Sequence, residues 1–96
     1  MLENIVFIEL IRRGYKVYIG KIDSLEVDFI ATKSDNKIYI QVSASIIDPN
    51  TFERELEPLK RIKDNYPKIL LTMDELPMNY DGIRQINIID WLLNND

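Results

Sequence analysis

Between Tyr15 and Ser43 the chain returns to an apolar residue at every second position, three times over, with only short polar turns between the runs. A side-chain period of two belongs to a half-buried β-strand, so this stretch reads as three strands. Tyr15, Val17 and Ile19 alternate with Lys16, Tyr18 and Gly20 in the first. In the second, Val27, Phe29 and Ala31 alternate with Glu26, Asp28 and Ile30. The third, Lys37 to Ser43, sets Ile38, Ile40 and Val42 against Tyr39, Gln41 and Ser43. Residues 21–24 and the cluster Ser34-Asp35-Asn36 are connections of hairpin length, which makes these strands antiparallel neighbours.

The period changes on either side. Leu2, Ile5, Val6 and Leu10 recur every three to five residues, and Gly14 follows Arg12 and Arg13, so a helix is expected over Leu2 to Arg13. After the strands, Asp48-Pro49 reads as an N-cap followed by a proline at the first helical position. Phe52, Leu56, Leu59 and Ile62 then form one apolar stripe of a helix reaching to about Asn65, which Pro58 should kink or interrupt. Lys68 to Thr72 reads as a buried strand, and Asp74 to Gly82, with Pro77 and Asn79, as loop. Gln85 to Ile88 reads as a fifth strand and Ile89 to Leu93 as a terminal helix whose Trp91 docks on the core. The order α-β-β-β-α-β, then β-α, specifies an α/β (α+β) fold with a mixed central sheet flanked by helices, because a strand-helix-strand step returns parallel.

Ninety-six residues allow one domain, spanning 1–96. At 46% hydrophobic and 29% charged residues the composition is that of a globular chain. The absence of cysteine and histidine removes disulfides, thiolate zinc sites, cysteine nucleophiles and imidazole bases, leaving carboxylates, lysines, hydroxyls and amides for any chemistry. No apolar run approaches the ~20 residues of a membrane span and no signal segment opens the chain, so a cytoplasmic protein without a membrane partner is expected. The net charge is −4, and its deficit lies after residue 47. Such a balance argues against a general electrostatic grip on nucleic acid.

Glu26 and Asp28 are expected on one face of the second strand, and Gln41 and Ser43 on one face of the third. If the faces coincide, a carboxylate sits beside an amide and a hydroxyl at the centre of the sheet; otherwise these are residues of an exposed strand face. The element order with these residues resembles the restriction-endonuclease-like, or PD-(D/E)XK, nuclease superfamily. The resemblance implies that Glu3 on the first helix and Asp28 on the second strand stand at metal-ligand positions. It also places Gln41-Val42-Ser43 where an E-x-K tripeptide belongs, with glutamine for glutamate and serine for lysine.

More closely, LENIVFIELIRRGYKVYIGK, EVDFIA, IYIQVS, PLKRIKDNYPKILLT and INIIDWLL are similar to the C-terminal domain of unknown function of prokaryotic AAA-type ATPases, over Leu2 to Leu93. This implies a C-terminal fragment of a longer ATPase whose N-terminal ATPase module is the partner in the same protein. The chain itself has no G-x-x-x-x-G-K-[ST] and hence no nucleotide cofactor site.

Metal-dependent phosphodiester hydrolysis needs acidic ligands for Mg²⁺ and a cation for the developing charge. Asp28 and Glu3 are present, whereas Gln41 and Ser43 supply neither a charged ligand nor a positive group. Lys33 or Lys37 is a candidate for a migrated lysine. The expectation is therefore a vestigial site (Glu3, Asp28, Gln41, Ser43) in a non-catalytic domain acting in protein or DNA interaction and holding no cofactor, with Mg²⁺ implied only if the site works. An active Mg²⁺-dependent DNA nuclease comes second, and a structural module for docking or homo-oligomerisation third. Lys60, Arg61 and Lys63 with Arg54 interleave with Glu53, Glu55, Glu57 and Asp64, as on a solvated helix face. The five tyrosines are spread over separate elements and read as packing residues.

Overall fold

The computed structural model describes residues 1–75 and 78–94. Helix α1 (Leu2–Arg12) ends at Gly14, whose φ of 93° lets Gly14 N–H reach Ile11 O and Tyr15 N–H reach Leu10 O, a glycine cap that satisfies two terminal carbonyls. Strands β1 (Lys16–Ile22) and β2 (Leu25–Lys33) meet through Asp23-Ser24, both at positive φ. Positive φ at both central residues is the geometry of a two-residue hairpin turn whose twist matches the strands. Ser34-Asp35 makes the next turn, into β3 (Asn36–Val42).

Helix α2 (Pro49–Lys60) is capped by the Asp48 carboxylate, which accepts from Asn50 N–H at 2.8 Å. It ends five residues before Asn65. Pro58 donates no backbone hydrogen bond and the helix stops two residues on. Asp64 then takes Tyr66 N–H at 3.0 Å in a local turn that competes with helix. Strand β4 (Lys68–Thr72) is buried throughout. The segment read as loop contains a two-residue edge strand, β5 (Asn79–Tyr80), too short for periodicity to register; Pro77 lies outside the described residues. Strand β6 (Ile83–Asn87) starts two residues before Gln85, and α3 (Ile88–Leu93) follows directly, capped by Asn87.

Among the described residues the strands form one sheet in the order β1-β2-β3-β4-β6-β5. β3, β4 and β6 are parallel and the outer pairs antiparallel, which gives the expected mixed sheet flanked by helices. α1 and α3 cover one face, over Phe29, Ala31, Ile40, Val42, Ile69 and Leu71. α2 covers the other, over Val27, Tyr39, Leu70 and Ile83. Arg13 joins the two helices of the first face. It bonds Glu9 at 2.6 Å and Trp91 O at 2.5 Å, and its guanidinium lies 4.4 Å from the centre of the buried Trp91 ring. Hydrogen bonds from Arg12 and Arg13 hold Glu9 down at about 2.

Val6 and Leu10 turn α1 inward, yet Ile5, Phe7, Ile8 and Ile11 on its outward side are at least 40% exposed. Among the described residues, no helix is long and apolar enough to cross a membrane.

Candidate functional site

Strict alternation would set Val27, Phe29 and Ala31 on one face of β2. Instead Val27 packs under α2 while Phe29 and Ala31 pack under α1 and α3. The cause is a β-bulge: Tyr18 pairs with Ile30 and Gly20 with Val27, so three steps on β2 oppose two on β1. Gly20 leaves room there for Ile30: a Cβ at that position would sit 2.4 Å from the Ile30 Cδ1, which would have to turn aside. The extra residue re-aims Asp28.

The regular β2–β3 pairing stops at Phe29 and Ile40, and side chains take over the bonding. Gln41 Oε1 accepts from Asp28 N–H at 2.6 Å, and Asp28 Oδ2 accepts from Val42 N–H at 2.9 Å. Gln41 Nε2 donates to Glu55 O at 3.3 Å, tying β3 to α2. Asp28 and Gln41 are therefore brought together, but through backbone: Gln41 holds the Asp28 N–H, and Asp28 holds the N–H of Val42, the residue after Gln41.

Ser43 is not part of this arrangement. It lies one residue beyond β3, continues the pairing only through its N–H to Leu71 O, and turns its hydroxyl to Ser45 O at 3.0 Å. Glu3 is exposed, with the N-terminal ammonium at 3.9 Å. Its charge nevertheless reaches the site: burial, opposed by the Val42 N–H, raises the Asp28 carboxyl above its ordinary range, with the charges of Glu3 and Glu26 adding to the shift. Neither candidate lysine reaches Asp28. Lys33 and Lys37 stand at the far end of the β2–β3 hairpin, Lys33 bonded to Arg13 O at 2.7 Å and Lys37 over the rings of Tyr39 and Tyr66.

Glu55 was read as a solvated helix residue and belongs to the site instead. It is half-buried, and burial together with the charges of Asp28 and Glu3 raises its carboxyl, partly offset by Arg54. The available signal was its place three residues after Phe52 and one before Leu56, flanking the apolar stripe. The rest of the α2 basic edge behaves as a solvated face, with Arg61 near Glu57 and Asp23 at 3.5 and 3.7 Å.

Gln41 Oε1 is committed to a backbone N–H, one Asp28 oxygen is likewise engaged, and among the described residues no three acidic side chains are grouped to hold a metal ion. Burial, with repulsion between the neighbouring carboxylates adding to it, favours the protonated form of Asp28 and Glu55.

A second polar cluster lies at the opposite end of β3. Lys68, almost fully buried, donates to Asp64 O at 2.7 Å and Tyr66 O at 2.9 Å and pairs with the Asp64 carboxylate, to which Tyr39 also donates at 2.5 Å. Burial pushes the Asp64 carboxyl up, but hydrogen bonds from Tyr39, Tyr66 N–H and Lys68 outweigh it and hold the group below its usual range. The cluster joins the turn after α2 to β3 and β4, and its donors are used within it.

No protein-family model matches the chain. It is similar to an uncharacterized protein of Haemophilus influenzae, 54% identical over 93 residues, a match covering 96% of this chain and 22% of the relative. The chain thus spans about a fifth of that relative's length.

Proposed function

We propose that this is a nuclease-derived domain that no longer cleaves phosphodiesters and serves as an interaction or regulatory module of an AAA-type ATP-binding protein. The observation that carries the reading is the engagement of Gln41. At the position where the resemblance implies a metal-binding glutamate, a neutral amide is spent on Asp28 N–H and Glu55 O. Ser43 in the lysine position is turned to Ser45 O, and the candidate lysines Lys33 and Lys37 are engaged at the far end of the β2–β3 hairpin. A catalytic centre of this kind would lack both a charged ligand and a cation for the transition state, and removal of one such electrostatic partner typically costs a hydrolase ~10² to 10³ in rate.

The interaction role is supported by α1, which leaves Ile5, Phe7, Ile8 and Ile11 at least 40% exposed among its polar residues. Grouped exposed apolar side chains of this kind mark contact surfaces. A neighbouring module of the same polypeptide is the partner the resemblance suggests, and a match to about a fifth of a longer relative agrees with a modular protein.

The test is cleavage. Supercoiled plasmid and single-stranded DNA, each incubated with the protein in Mg²⁺ and in Mn²⁺, are expected to remain intact. Cutting that disappears in Asp28→Ala would instead establish a working nuclease. A short-DNA binding assay and light scattering then separate nucleic-acid contact from self-association.

A further inference from the structure

Beyond the ends of β3 and β4, on the α2 side of the sheet, lies a groove of about 700 Å³. That is within the range of small-molecule sites, and the carboxyl ends of parallel strands are where open α/β sheets bind ligands. Its walls are apolar, built from Ile46, Phe52, Met73, Met78 and Tyr80, with the Phe52 and Tyr80 rings edge to face at 4.7 Å.

Gln85 also lines this groove, at 5% exposure. Its Nε2 donates to Thr72 Oγ1 at 3.0 Å, and the same hydroxyl oxygen accepts Asp74 N–H at 3.1 Å. Its Oε1 is buried and has no hydrogen-bond partner among the described residues. Buried acceptors are almost always satisfied, so one left open beside a cavity points to a donor brought from outside.

Charge narrows the class of that donor. Among the described residues the groove is lined by two carboxylates, Asp74 and Glu75, and by no basic side chain. Asp74 is held in place by Ser45 Oγ and Ile46 N–H at 2.8 and 2.9 Å, which fixes its charge close to the groove. An anion would be repelled, whereas an ammonium group would be attracted and carries only donors.

We propose that the groove binds a small organic cation, an aromatic or alkyl body bearing an ammonium head. The body packs between Phe52, Tyr80 and the methionines, and the head donates to Gln85 Oε1 in the field of Asp74 and Glu75. Met73 and Met78 are half-exposed and have the flexible side chains needed to open the way to that oxygen. This site does not depend on the nuclease reading, since Leu70 separates Gln85 from Gln41 across the sheet.

The experiment is an NMR titration of the full chain, methyl-labelled at methionine, with 4-phenylbutylammonium and with 4-phenylbutyrate, which has the same apolar body and the opposite head charge. Saturable shifts of the Met73 and Met78 methyls are expected with the cation, and at least tenfold weaker binding of the carboxylate. Gln85→Leu should weaken the cation at least tenfold. Met73→Lys, at a half-exposed position that tolerates substitution, should do the same by charge and serves if Gln85→Leu fails to fold. Absence of saturation, equal affinity for the two heads, or cation binding indifferent to these variants overturns the proposal.

Discussion

Gln41 and Gln85 lie in one row across the parallel strands, on either side of Leu70, and are 4% and 5% exposed on the same face of the sheet. Gln41 has both ends of its amide engaged, one by the β2 bulge and one by α2. Gln85 has one end on Thr72, and its other end meets no donor among the described residues. The same side chain at the same depth is thus a strut in one place and an open acceptor in the other. Burial alone does not distinguish a structural amide from a recognition amide; the completeness of its hydrogen bonding does.

The comparison can be broken by mutation, most severely at Gln41. Gln41→Leu leaves Asp28 N–H without its acceptor and cuts the tie from β3 to Glu55 O on α2, and at about 1–3 kcal/mol for a stranded buried group it should cost ~1–3 kcal/mol in urea denaturation. Thr72→Val keeps the shape but removes the anchor of both Gln85 Nε2 and Asp74 N–H. It should cost ~1–2 kcal/mol by the same measurement. Gln85→Leu removes an amide that is already half unsatisfied, and its stability should stay within ~1 kcal/mol of the parent. A large loss in Gln85→Leu would place the two glutamines in one structural class.

The smallest effect is a slope. Asp28 and Glu55 have folded-state carboxyls raised above the ordinary 3.8 and 4.5, so the folded chain binds more protons than the unfolded one across that window. Their contribution to stability is present at low pH and is lost as pH rises through those raised values. Glu9, held at about 2, acts in the opposite sense, and its contribution disappears only as pH falls below 4.5 toward 2. Melting temperatures measured from pH 4.5 to 8 should therefore decline less steeply in Asp28→Asn than in the parent. An unchanged slope would show that the carboxylates around the bulge do not repel one another as described.

Apart from β5 and the far end of α2, the strands, helices and their order are legible because each rests on a local pattern: alternation in β2 and β3, Gly14 after two arginines, Asp48-Pro49 before the stripe of α2. What escaped depends on contacts between distant segments. The bulge that sends Val27 and Phe29 to opposite faces has no signature in β2 itself, and its trace is Gly20 on the neighbouring strand. Asp28 and Gln41 were identified as neighbours, but hydrogen bonding to each other's strands is a matter of register, which alternation does not specify. Glu55 joins them only because α2 crosses β2 and β3 at its level. Gln85 was read as one residue of a short strand; that its amide would be left half open follows from the position of Thr72 on β4.

The outward side of α1 has a thermodynamic consequence. Ile5, Phe7, Ile8 and Ile11 occupy a helix whose inner side already supplies Val6 and Leu10 to the core, so α1 can belong to two cores at once. A surface that binds only when α1 is folded stabilises the whole domain by mass action. The unfolding equilibrium of these residues would then gauge occupancy: a molecule bound to that side of α1 would be read out as a rise in the melting temperature of the chain.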